Sequence, residues 1–149
     1  ETRSAFLNLL NEIPEGKFEV VFPGEQWSAK QELVHVVQVL KMIPTGILKA
    51  SSGKKRSILS SVPTSVRGWV NGHIIIPMQS RKATRDSMAT SYENAHSALI
   101  QLLETIPDDA WDKGARYPSQ YRTVEEMALR PANHFKEHAD HVRSVLGMV

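Results

Sequence analysis

The sequence predicts an all-α protein, a four-helix bundle made of two similar helical hairpins with a long connection between its second and third helices. Three observations carry that expectation. Apolar residues recur every three or four positions in four stretches, the spacing that lines one face of a helix. A pattern near residue 9 is repeated near residue 102. The last stretch places His134, His138 and His141 on its apolar side.

Length and composition agree with a bundle. The 149 residues make one domain by length, spanning 1–149, and suffice for a real core. Apolar residues are 41% and charged residues 23%, as in ordinary globular chains. Cysteine is absent, which excludes disulfides, thiolate metal sites and a cysteine nucleophile, and leaves His and carboxylates as the candidate ligands. No run approaches the roughly 18 apolar residues of a membrane span, and no signal peptide is visible. A cytoplasmic protein with no membrane partner is therefore expected. The chain opens at Glu1 without Met, consistent with a trimmed start. A net charge of +2 gives little reason to expect nucleic acid.

Phe6, Leu9, Leu10 and Ile13 predict a first helix over 1–13, ended by Pro14-Glu-Gly16. Residues 17–27 form a connection. Ser28 reads as an N-cap with Gln31 completing a capping box. The second helix then runs from Ala29 to about Ile43 on Leu33, Val36, Val37, Leu40 and Ile43. Pro44 must break or kink it, because it has no N–H for the carbonyl of Leu40. His35 falls inside the apolar arc, where a single histidine is usually a packed core residue. Residues 49–61 are basic and polar, a solvated loop with phosphate binding as the minority reading. Over 63–77, Val66, Trp69, Val70 and Ile74–Ile76 predict a short apolar helix or lid, interrupted by Gly68 and Gly72, with His73 incidental. Thr84 or Asp86 starts the third long helix, whose Met88, Tyr92, Ala95, Leu99, Leu102 and Ile106 form a regular stripe up to Pro107. His96 lies at its edge, a boundary residue.

The echo follows. Leu9-Leu10-Asn-Glu-Ile13-Pro14 matches Leu102-Leu103-Glu-Thr-Ile106-Pro107. After each comes a loop with an aromatic (Trp27; Tyr121), a capping box (Ser28 with Gln31; Thr123 with Glu126) and a helix bearing histidine. In the last helix, His134, His138 and His141 lie within roughly 60° of one another at 100° per residue, facing as Met127 and Val145 do. Imidazole is the commonest nitrogen ligand for divalent transition metals, and two one turn apart can share an ion. A bundle core is where such sites are built. In that arrangement the second and fourth helices can bring His35 against His134 and His138.

Trp27-Ser28-Ala-Lys-Gln-Glu-Leu33-Val-His35, the Ile106-Pro107-Asp-Asp-Ala-Trp111 turn, and Thr123-Val-Glu-Glu-Met with Asn133-His134-x-x-x-His138 together resemble the DinB/YfiT-like superfamily. The resemblance covers nearly the whole chain. It implies a DinB-type four-helix bundle with one divalent metal, zinc or nickel, held by His35, His134 and His138. It also implies a metalloenzyme of the thiol-cofactor-dependent transferase or isomerase kind, or a hydrolase; the alternative is a bundle that binds metal or a small molecule without turnover. With no cysteine in the chain, any thiolate would come from a low-molecular-weight thiol. No DNA binding is implied. The sequence departs from the pattern at His141, an extra imidazole that could replace a ligand or support one. It departs also at Arg130, one turn before His134 and facing the site, which either binds an anionic substrate or cofactor or simply reaches solvent, and at Pro131, expected to kink the helix beside the metal. Glu137, at the edge of the histidine face, is a candidate base or orienting group, though more readily a solvent-exposed one.

The rival from bundle chemistry is a di-iron carboxylate site, for which Glu32-x-x-His35 and Glu93-x-x-His96 have the required spacing. A bis-histidine haem is weaker still. The apolar cluster of Trp69, Val70 and Ile74–Ile76 exceeds what a short lid buries, and with the family resemblance it predicts a homodimer.

Overall fold

A computed structural model describes residues 1–52, 63–116 and 120–148. In chain order the elements are α1 (Thr2–Glu12), a single turn α2 (Glu15–Phe18), α3 (Ala29–Ser51), α4 (Thr64–Val70), a π-helical turn (Asn71–Ile75), α5 (Ile76–Ser80), α6 (Arg85–Leu103), a 3-10 turn (Asp108–Ala110), a hairpin of β1 (Gly114–Arg116) and β2 (Tyr121–Thr123), and α7 (Val124–Leu146). The described chain is mostly helical, as expected. The two-stranded hairpin was not foreseen. Its strands are three residues each, too short for an alternating pattern to show.

Capping chemistry starts the long helices. Ser28, Thr84 and Thr123 each accept a hydrogen bond from the backbone N–H three residues on, and the side chains of Gln31, Ser87 and Glu126 bond back to the cap N–H. Arg85 closes the far end of α1. It donates to the carbonyls of Leu10 and Ile13, the latter at 2.8 Å, and lies 4.0 Å above the Phe18 ring. A cation there satisfies carbonyls that the helix end leaves unpaired. Gly147, with φ of +65°, ends α7, and the N–H of Met148 returns to the carbonyl of Arg143.

The expected helix end at Pro44 and the expected interruptions at Gly68 and Gly72 are corrected. Pro44 does not end α3, which continues two turns further to Ser51. Ile43, Gly46, Ile47 and Ala50 on both sides of it are buried, and that burial outweighs the lost hydrogen bond. Pro131 likewise lies inside α7. Gly68 and Gly72 do not interrupt the next segment, which runs helically from Thr64 to Ser80 through the π-turn. A Cβ on Gly72 would come within 2.7 Å of Gln26 Nε2 and 3.5 Å of the Trp27 ring. That close approach lets Trp27 Nε1 donate to the Gly72 carbonyl at 3.0 Å, while Gln38 donates to Asn71 Oδ1 at 2.9 Å. Of the basic stretch, Lys49–Ser51 belongs to α3, and 53–61 lies outside the described residues.

α3 packs against both α6 and α7, and α1 packs against the same two helices. The packing thus runs between the two similar halves of the sequence. Phe6 stacks on Tyr92 with ring centroids 3.9 Å apart and meets Phe135 at 5.8 Å, tying α1, α6 and α7 together. α3 reaches a mean hydropathy of 1.3 over 18 residues, long and apolar enough by composition to cross a membrane, which the run-length reading had not recognised. Half of that window is buried in the bundle, the property of a central core helix.

Candidate metal centre

His35 on α3 and His134 and His138 on α7 meet where these two helices pack. Their candidate ligand atoms all lie within 4.8 Å of one another. His35 Nε2 and His134 Nε2 are 3.2 Å apart, and the three rings stand nearly perpendicular, with centroids 4.4–5.1 Å apart. Two nitrogens on one tetrahedral zinc, each at 2.0–2.1 Å, are about 3.3 Å apart, so the His35–His134 spacing suits a shared ion as well as a hydrogen bond. His134 is 8% exposed, and Trp27 covers His35 at 5.0 Å between rings.

The cluster is costly by itself. Burial pulls the pKa of His134 down to about 4, with repulsion from His138, His35 and Arg130 adding to it. His35 is lowered for the same first reason, then by His138. His35 Nδ1 is buried without a hydrogen-bond partner. An ion at the centre would occupy the inner nitrogens of three imidazoles that otherwise meet one another there. The chemistry of the donor set, three neutral nitrogens with no thiolate, suits a divalent transition metal.

Charged side chains engage the outer nitrogens. Glu32, 8% exposed, places Oε2 against His138 Nδ1. Because a carboxylate only accepts, Nδ1 carries the hydrogen, and Nε2 is the atom His138 can give to an ion. Arg130 reaches His134 Nδ1 with Nη2 at 3.0 Å and donates through Nη1 to Glu137 Oε1 at 3.0 Å. Glu137 Oε2 is 3.5 Å from His134 Nδ1. Arg130 cannot accept, so in this arrangement Nδ1 accepts and the hydrogen sits on Nε2. Presenting Nε2 to an ion needs the hydrogen moved to Nδ1, where Glu137 is placed to take it. Glu137 is exposed, as expected, yet also in contact with the site. Its pKa is lowered, first by the hydrogen bond from Arg130.

The other histidines stand apart. His141 is outside the cluster, its Nε2 2.9 Å from Glu25 Oε2. His96 stacks on Tyr92 at 6.2 Å, and exposed His73 stacks on Trp69 at 5.2 Å. The di-iron pairing is not assembled: Glu93 pairs with Arg3, and Glu32 contacts the outer nitrogen of His138. Among the described residues, the three-histidine group is the metal-type cluster that forms. The sequence reading missed Glu25 and the supporting role of Glu32. The available signal was position, since Glu32 is one turn before His35 on the same face. A groove of about 460 Å³ runs beside α7, lined in part by Arg122, Arg130, Asn133, Lys136 and Glu137, and it adjoins the histidines through Arg130 and Glu137.

No curated protein and no solved structure matches the chain. A family model described as the DinB superfamily matches residues 1–142. With that match across a helical bundle that gathers its histidines between α3 and α7, the chain belongs to the DinB superfamily.

Proposed function

We propose that the chain is a mononuclear divalent-metal protein of the transferase, isomerase or hydrolase kind, with His35, His134 and His138 as its protein ligands. The observation that carries the reading is the convergence of three largely buried imidazoles from two helices, within 4.8 Å. When bound, zinc or nickel would supply a Lewis acid that acidifies water or a small thiol and polarises a carbonyl.

The chain's own residues prepare for that chemistry. Burial keeps His35 and His134 uncharged at neutral pH, so neither has to release a net proton, although the His134 hydrogen must shift from Nε2 to Nδ1. Glu32 holds the hydrogen of His138 on Nδ1. Arg130, half-buried between the histidines and the groove, binds an anionic group of the substrate or thiol cofactor. Its present partner Glu137 then turns to His134 Nδ1–H. Glu137 is a poor proton store, since Arg130 favours its ionised form.

The test is turnover. Zinc- and nickel-loaded protein is offered a low-molecular-weight thiol with an electrophile, and separately a hydrolysable ester or amide. Saturable, metal-dependent turnover in either assay supports the enzyme reading; binding without turnover makes the bundle a carrier. The homodimer is part of the same proposal. Val66, Trp69 and Ile74 on the helical run of residues 64–80 are about half exposed, a strip suited to a second copy. Light scattering at micromolar concentration should give twice the chain mass, and a monomer mass removes the dimer.

A further inference from the structure

Glu32 is a buried carboxylate on the apolar side of α3, and burying such a group is unfavourable unless its oxygens are satisfied. Both oxygens face imidazoles of α7. Oε2 contacts His138 Nδ1, and Oε1 lies 3.8 Å from His141 Nε2, which is itself 2.9 Å from Glu25 Oε2. Glu32 precedes His35 by three residues, and His141 follows His138 by three. The helices that present the ligands therefore present, one turn away, a carboxylate and imidazole chain from His138 to the surface. His141 is the outer end, with 43% of its side chain exposed.

We propose that Glu32, braced by His141 and Glu25, is a positioning residue that fixes the ring and tautomer of His138 and commits Nε2 to the centre. This rests on the metal reading given above. The imidazole has two equivalent ways to carry one hydrogen, and only one leaves Nε2 able to ligate. An ionised carboxylate at Nδ1 selects that form before any ion arrives, and it strengthens the ring as a donor. His141, whose separation along α7 keeps it out of the nitrogen cluster, thereby acts through Glu32.

Two measurements test this on the full chain. Long-range proton–nitrogen correlation of the metal-free protein, above the pH range where imidazole titrates, should show His138 with its hydrogen on Nδ1. In Glu32→Ala the signal should move toward the Nε2–H form. Cobalt affinity by competition titration should fall about 10–100-fold in Glu32→Ala. Nearly isosteric Glu32→Gln, whose amide oxygen still accepts, should recover most of it. In a His138→Ala background, Glu32→Ala should cost nothing further. An unchanged His138 tautomer, or an equal affinity loss in the two backgrounds, overturns the proposal. If the wild-type chain binds no cobalt, the metal reading fails, and the tautomer measurement alone decides the role of Glu32.

Discussion

An imidazole that binds a metal at neutral pH must be uncharged, and His134 meets that condition by burial. Its pKa of about 4 lies below the ordinary value near 6.5. Between those values the unfolded chain binds the proton and the folded chain does not. Stability of the metal-free protein is therefore fully present above about pH 6.5 and lost as the pH falls toward 4, at up to about 1.4 kcal/mol per pH unit for His134 alone. Denaturant midpoints of stripped protein across that range should show the slope, and a rise on acidification would refute the burial account. His35→Ala, His134→Ala and His138→Ala should each lower metal affinity by orders of magnitude, beyond the roughly 10–100-fold of a supporting group. His73→Ala and His96→Ala should leave it unchanged, as their ring stacks lie elsewhere. His141→Ala should fall between. If competition titration made His141→Ala as damaging as His138→Ala, with His134→Ala mild, the ligand set would be misassigned. The clustered histidines were legible in part: helical spacing puts His134 and His138 on a core-facing side, but it put His141 there too, and the set of three came from the family resemblance. Glu32 was visible only as half of a di-iron motif, since sequence spacing tells which face a carboxylate occupies but not which nitrogen it meets.

The elements differ in how much local sequence decides them. The boxes at Ser28 and Thr123 could be read directly because their donors and acceptors sit within one turn. Pro44 could not, because its effect depends on what packs around it. The local rule, a missing N–H, is outweighed by buried residues on either side. Pro44→Ala should therefore stabilise the fold by about 1–2 kcal/mol, the helix penalty near 3 kcal/mol being partly offset by a less restricted unfolded chain. Urea denaturation measures this, and a destabilised variant would mean that α3 needs the proline's geometry. The π-turn at Asn71–Ile75 was also illegible. It is held by Trp27 on Gly72 and Gln38 on Asn71, contacts with residues more than thirty positions away.

At the scale of the molecule, the bundle holds α3 and α7 together by apolar packing, and the histidines lie at that contact. An ion there links two helices far apart in sequence, so it stabilises the native state alone. At a hundredfold excess over Kd the gain is about 2.7 kcal/mol. Chelation should lower the melting temperature of the wild type and leave His134→Ala unaffected; equal responses would place the metal elsewhere. The repeated half-sequence predicted the bundle and the helices that carry the site. It did not show that each half packs chiefly against the other, because periodicity gives a face and not a partner. Elemental analysis of protein purified without chelator, and again after loading, tests the central claim most directly. The account predicts about one zinc or nickel per chain. Two irons per chain, or an empty site after loading, would contradict it.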